Sequence, residues 1–159
     1  MHYSVMLSEA IEGLNIKEDG KYVDCTLGYA GQRSEILKRL KRGFLFALDQ
    51  DMEAIKYSEK KLSEISLNFK IIHSNFENMK EKLNEEGIEK VDGILFDLGL
   101  SSPQIDDASR GFSFMNEARL DMRMNKESKK DAYMVVNNYS KEMLAEIFFK
   151  YGEEKLSNV

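Results

Sequence analysis

The sequence predicts an α/β fold, a parallel β-sheet with helices on its faces, and three observations lead there. Four apolar runs of strand length recur at 21–27 (KYVDCTL), 44–48 (FLFAL), 69–73 (FKIIH) and 91–96 (VDGILF). Helical periodicity fills the intervals between them, and the connections are short. Such alternation implies right-handed βαβ units and parallel pairing. Finally, the second run ends in Asp49 and the fourth in Asp97. Acidic residues at the carboxyl ends of strands stand where open α/β sheets bind ligands.

Composition narrows the class. A chain of 159 residues suits one domain and suffices for a core. A net charge of -5 and a pI near 5.2 argue against a general electrostatic binder of nucleic acid, while leaving room for a local patch. The basic clusters Lys38, Arg39, Lys41, Arg42 and Lys126, Lys129, Lys130 read as solvated helix faces. No apolar run is long enough to span a membrane, and the first residues carry no secretory pattern. The single cysteine, Cys25, excludes an internal disulfide and suits a reducing compartment, so a cytoplasmic location is expected. Its place inside an apolar strand makes it a packing residue.

The elements run in order along the chain. Residues 5–14 form an amphipathic helix, with Val5, Ala10, Ile11 and Leu14 on one face and Ser4 as N-cap. Asp19-Gly20 marks a turn. After the first strand comes a tight glycine loop, Gly28-Tyr29-Ala30-Gly31, then a helix over 34–40 ended by Gly43. Asp51 caps a helix over 52–65. Ser74, Asn75 and Phe76 leave the third strand, and 76–83 is helical until Gly87. Beyond Asp97 a long loop shows neither period. It holds Gly99, the only proline (Pro103), Asp106, Asp107, Arg110, Arg123, Phe112 and Phe114. Long loops in compact domains are functional or disordered, and this one is too aromatic and Met-rich for a linker. A structured cap over apolar surface is the bland alternative. Helices are expected over 131–138 and 140–151, the second with Leu144, Ile147, Phe148 and Tyr151 inward. Composition shifts near Met115 to a helical, Lys-rich stretch, which places a boundary between 1–114 and 115–159.

The first half carries a constellation. The glycine loop comes after the first strand, and Asp49 closes the second about twenty residues on. Glycines let backbone approach a ligand at a helix N-terminus, and a carboxylate so placed can accept both hydroxyls of a ribose. An adenosine-bearing ligand is implied. The full dinucleotide fingerprint is absent, since Ala30 occupies the second glycine position. This tilts the reading toward S-adenosylmethionine, which brings no pyrophosphate to cradle. A nicotinamide-dependent oxidoreductase and a plain βα turn with a surface Asp both stay open here. Phe76 could lie against an adenine, or be a core aromatic. Asp97 would face the reacting group.

Several stretches resemble one family, the ribosomal RNA small subunit methyltransferase H (MraW-like) family: HYSVMLSEAIEGL, DGKYVDCTLG, ALDQDMEAI, IIHSNF, YGEEK and, above all, DGILFDLGLSSPQIDDASRGFSFMNEARLDMRM. The resemblance covers nearly the whole chain. It implies a Rossmann-like fold and transfer of a methyl group from S-adenosylmethionine to N4 of a cytidine in the decoding region of 16S rRNA. It implies cofactor contacts at Ala30, Gly31, Gln32, Asp49, Phe76, Asp97 and Gln104. It also implies that 115–159 begins a helical, substrate-recognising insert.

Methyl transfer requires no metal; it requires an aligned acceptor nitrogen and a group to take its proton. Asp97 and the carbonyls of Ser101 and Ser102 are the candidates. Phe112 or Phe114 could stack on an extruded base, and Arg110 or Arg123 could meet phosphate. Ion pairs with Asp106, Asp107 or Asp121 would equally account for the arginines. The family's loop reads glycine-glycine-histidine where this chain has Ala30-Gly31-Gln32, which implies weakened cofactor affinity. Family members are also longer. The expectation is therefore a truncated chain that either dimerises to cover its fourth strand or is a fragment of a longer gene product; the alternative to an active methyltransferase is a non-catalytic fragment that binds cofactor or RNA or self-associates.

Overall fold

The computed structural model describes residues 6–28 and 31–157, with the backbone alone at Gln32. The expected roles of Ser4, Val5 and Ala30 lie outside the described residues. In order, the elements are α1 (Leu7–Gly13), β1 (Lys21–Asp24), α2 (Gly31–Arg39), β2 (Phe44–Asp49), α3 (Met52–Ser63), β3 (Phe69–His73), α4 (Met79–Glu85), β4 (Gly93–Leu95), α5 (Ser102–Asp106), α6 (Ala132–Asn138) and α7 (Lys141–Gly152). Single 3-10 turns stand at Phe76–Asn78 and Ala108–Arg110.

The four strands form one all-parallel sheet in the order β3-β2-β1-β4. Alternation along β1 and β2 explains its two cores. Tyr22, Leu45 and Ala47 point to one face, where Ile11, Ile36, Leu37, Leu40, Ile55 and Leu62 of α1, α2, α3 and their ends meet them. Val23, Cys25, Phe46 and Leu48 point to the other, which Leu83 of α4 covers. β2, flanked on both sides, is nearly continuous in apolar residues, as a buried parallel strand should be. Among the described residues β4 pairs only with β1, and Ile94 and the following Phe96 are 40% and 46% exposed, so the apolar edge expected of this strand is present.

Several details depart from the sequence reading. Helix α2 starts at Gly31, directly on the glycine loop, rather than at residue 34. Gly43 does not act as a left-handed helix cap. A Cβ there would sit 2.3 Å from the Gly20 carbonyl oxygen, so the residue is small because two chain segments cross. The helix expected at 76 opens instead as a 3-10 turn, because the Asn75 side chain accepts from the Glu77 amide at 3.0 Å. The stretch beyond Asp97 contains α5 and a further 3-10 turn, both too short to display a period. In α7, Leu144 and Ile147 are part-buried as expected, but Phe148 is 49% and Tyr151 82% exposed, and the buried residue is Ala145. Among the described residues, no helix is long and apolar enough to cross a membrane.

The chain divides into two compact units, Met1–Ser101 and Ser102–Val159. The division falls before the composition shift at Met115, because 102–114 is stitched to residues beyond that shift. The Met122 amide donates to the Arg110 carbonyl at 3.0 Å. Arg110 Nη2 donates to the carbonyls of Arg123 and Met124, both at 3.0 Å.

Candidate functional site

The crevice lies at the carboxyl ends of β1, β2 and β4. Parallel register brings Asp24 opposite Ala47 on one side and Leu95 on the other, so the residues leaving these strands converge. Asp24 is fully buried, and its Oδ1 accepts from the Thr26 amide at 3.0 Å. Thr26 Oγ1 in turn accepts from the Asp97 amide at 2.7 Å. One hydroxyl thus fastens the exit of β1 to the exit of β4.

Asp49 closes the other side. Its Oδ2 accepts from the Gly28 amide and its Oδ1 from the Asp51 amide, each at 2.8 Å. Gly28 adopts a φ of 44°, in the left-handed region that favours glycine. Its carbonyl accepts from the buried Ser58 hydroxyl of α3 at 2.7 Å. The entry to the glycine loop is therefore held by side chains from β2 and α3. Asp51 caps α3 through the Glu53 amide at 3.0 Å, as its position predicts.

The electrostatics of the crevice are acidic, with one buried cation. Burial raises the Asp49 carboxyl above its ordinary value, against the two amides and Arg33, which pull it down. Arg33 is buried, with Nε 3.5 Å from Asp24 Oδ2. Desolvation lowers its guanidinium below the ordinary value, while Asp24, Asp49 and Asp97 oppose the shift. Cys25, beneath the crevice, is pushed up to about 12 by burial and then by Asp24. Its thiol lies 3.2 Å from Met79 Sδ. It is a packing residue.

These features fit an adenosine-bearing cation. Each Asp49 oxygen carries one amide and retains a lone pair for a ribose hydroxyl. Asp24, Asp49 and Asp97 outnumber Arg33, which favours a positively charged ligand. Phe76, 40% exposed, is no core aromatic. Its ring meets that of Phe96 edge-on at 5.7 Å between centroids, beside Asp97.

The structure thus brings together, in the first unit, Asp49, Asp97 and Phe76 of the residues singled out from sequence. Gly31 opens α2, and Gln32 follows within that helix. Ser101 is the last residue of the first unit, and Ser102 starts α5. Gln104, Arg110, Phe112, Phe114 and Arg123 belong to the second unit. Gln104 is buried.

Arg110 corrects an expectation. At 2% exposure, with Nη2 on two backbone carbonyls, its guanidinium organises the interior of its own unit and is not presented to phosphate. Arg123 forms the anticipated pair with Asp121, at 2.6 and 2.9 Å, and also donates to the Lys126 and Ser128 carbonyls. Phe112 is half-buried, with the Arg110 guanidinium 6.0 Å from its ring. Phe114 is 96% exposed. Sequence reasoning missed Thr26 and Arg33. The only available signal was their spacing of two and nine residues from Asp24 around the glycine loop.

Comparison with known proteins agrees with this architecture. The ribosomal RNA small subunit methyltransferase H of Mycoplasmopsis agalactiae is 54% identical over 156 residues, covering 98% of this chain and 52% of the relative. Its counterpart in Mycoplasma mycoides subsp. mycoides is 55% identical over 157 residues, covering 98% and 51%. The chain spans about half the length of the curated relatives it matches. Among solved structures, a candidate rRNA methylase of Clostridium thermocellum superposes with a TM-score of 0.53 at 25% identity, covering 64% of this chain and 55% of that one. The family model described as the MraW methylase family matches residues 1–159. With a match running the length of the sequence, over a Rossmann-like parallel sheet, the chain belongs to the MraW methylase family.

Proposed function

We propose that this chain binds S-adenosylmethionine in the crevice of its first unit and serves methylation of small-subunit rRNA, at N4 of a cytidine in the 16S decoding region. The observation that carries the reading is Asp49, whose carboxylate ends β2 while gripping the amide of Gly28. Family membership and the names of the relatives support the reaction class.

When bound, the cofactor supplies an electrophilic sulfonium methyl. The residues of the chain do the rest. Asp49 accepts the ribose hydroxyls. Ala30, Gly31 and Gln32 are the contact positions on the loop that the family resemblance implies, and Phe76 offers a ring face or edge to adenine. Asp97 lies at the methyl end, and the family resemblance implies a further contact position at Gln104. Asp97 or the carbonyls of Ser101 and Ser102 accept a hydrogen bond from the cytidine amino group. The hydrogen bond localises the nitrogen lone pair; the proton lost on transfer goes to the Asp97 carboxylate and from there to solvent, since a backbone carbonyl is too weak a base to hold it. Holding donor and acceptor in line provides most of the acceleration. Phe114, exposed, is the more accessible ring for stacking on an extruded base, and the half-buried Phe112 the less accessible; Arg123 can reach phosphate only by leaving Asp121. The setting is cytoplasmic, where rRNA is made and modified. A second copy pairs along β4, whose outer edge and apolar residues are otherwise uncovered.

Calorimetric titration with S-adenosylmethionine tests the cofactor reading. Binding by the parent chain that disappears in Asp49→Ala supports it. Incorporation of labelled methyl into 16S rRNA then tests the reaction. Cofactor binding without incorporation identifies the second reading, a non-catalytic chain that binds cofactor. Sedimentation gives the oligomeric state, and a monomer at micromolar concentration excludes the β4 pairing.

A further inference from the structure

Arg33 stands in the first turn of α2. It is 4% exposed. Its Nε lies 3.5 Å from the fully buried Asp24 Oδ2. Among the described residues, Arg33 Nε, Arg33 Nη1 and Asp24 Oδ2 have no hydrogen-bond partner. A buried ion pair with unused donors is a poor stabilising device, because the loss of hydration is incompletely offset and apolar residues of similar volume do as well or better. Packing therefore does not account for the residue.

Position does. Asp24 holds the Thr26 amide, and the Thr26 hydroxyl holds the amide of Asp97. On the other side, a Cβ added to Gly28 would stand 3.7 Å from Arg33 Nη2, so the guanidinium lies in contact range of the turn that Asp49 grips. Arg33 is thus the junction of two arms, each ending in a carboxylate of the crevice.

We propose that Arg33 is a positioning residue for cofactor binding: through Asp24 and the Gly28 turn it fixes Asp97 and Asp49 in the places where the cofactor rests against them. The proposal rests on the cofactor reading given above. It also carries a pH signature. The charged and titratable groups at the strand ends around Asp49 are Asp24 of β1, Arg33 of α2, Asp51 at the head of α3, His73 at the end of β3 and Asp97 beyond β4. Among these described residues, Arg33 is the one permanent cation. Burial holds the Asp49 carboxyl high and Arg33 pulls it back. A neutral residue at position 33 lets it rise further. Ribose hydroxyls require the ionised acceptor, so the acid limb of cofactor binding moves to higher pH.

The experiment is calorimetric titration with S-adenosylmethionine from acid to neutral pH on the parent chain, Arg33→Met, Arg33→Lys and the double variant Arg33→Met/Asp24→Asn, with thermal melts alongside. The double variant leaves no unpaired buried charge, so it serves if Arg33→Met does not fold. Ligand-free carbon NMR of the carboxyls follows Asp49 directly. Expected are weaker binding in both Met variants, by about tenfold on the acid limb for each pH unit that the limb moves. Also expected are an upward-shifted Asp49 midpoint and substantial recovery in Arg33→Lys. Folded Met variants with the parent's affinity and acid limb overturn the role of Arg33 and leave the cofactor reading standing. No binding by the parent at any pH overturns the cofactor reading, and this proposal with it.

Discussion

Asp49 holds the Gly28 amide at 2.8 Å across twenty-one residues of sequence. The same carboxylate that ends β2 therefore shapes the entry to the glycine loop before any ligand arrives. Loop and acidic residue are one assembly, and perturbing either perturbs both.

Asp49→Asn changes the pH dependence of stability. Burial raises the parent's carboxyl above its unfolded value of 3.8, so the folded chain holds this proton more tightly than the unfolded one. The parent consequently loses stability relative to Asp49→Asn as pH rises from 3.8 through the raised value, and the difference is constant above it. Urea unfolding of both proteins across this window measures the slope.

Thr26→Val removes the acceptor of the Asp97 amide and one partner of Asp24. The Thr26 amide bond to Asp24 persists, and the freed Asp97 amide is within reach of water. The expected loss is about 1 kcal/mol. Amide exchange at Asp97 should accelerate while the core of β2 stays protected, which separates a local release from general destabilisation.

Gly111→Ala strikes the second unit. Gly111 has a φ of 69°, and a Cβ there would lie 2.5 Å from the Arg119 carbonyl oxygen and 2.6 Å from the Asp121 nitrogen. Both neighbours are backbone, so neither can swing away. A cost on the order of 3 kcal/mol is expected, combining strain with the forced shift. Chemical denaturation of parent and variant checks it.

Asp121 gives the second unit an acid-sensitive lock. Its bonds to the Arg123 side chain hold the Asp121 carboxyl at about 2, below the ordinary 3.8. The stability this confers is fully present above 3.8 and is lost as pH falls toward 2. Asp121→Asn should remove that part of the acid transition, so its stability falls less steeply over the interval. Circular dichroism of both proteins in denaturant, from about pH 2 to about pH 5, reads the effect.

Much of the frame was legible because it depends on short-range signals. Asp51 and Ser140 cap the helices they precede, accepting from the Glu53 and Met143 amides. The strand runs, and the acidic residues that close β2 and β4, follow from period and position. Contacts between distant segments were not legible. Gly43 looks like a helix stop and is instead a crossing point with Gly20. Arg110 looks like a phosphate ligand and is instead wrapped by carbonyls more than ten residues away. The places of Thr26 and Arg33 make sense only once β1, β2 and β4 are side by side.

That dependence has a kinetic side. β1 pairs with β2 within the first fifty residues, but its other edge waits for 93–95. Contacts between segments far apart in sequence form slowly, because a long loop must close first. A chain emerging from the ribosome can assemble β1, β2 and β3 with the Asp49–Gly28 latch well before Thr26 has an Asp97 amide to accept from. The crevice is therefore built in two stages, the ribose-facing wall first and the wall at the reacting end later.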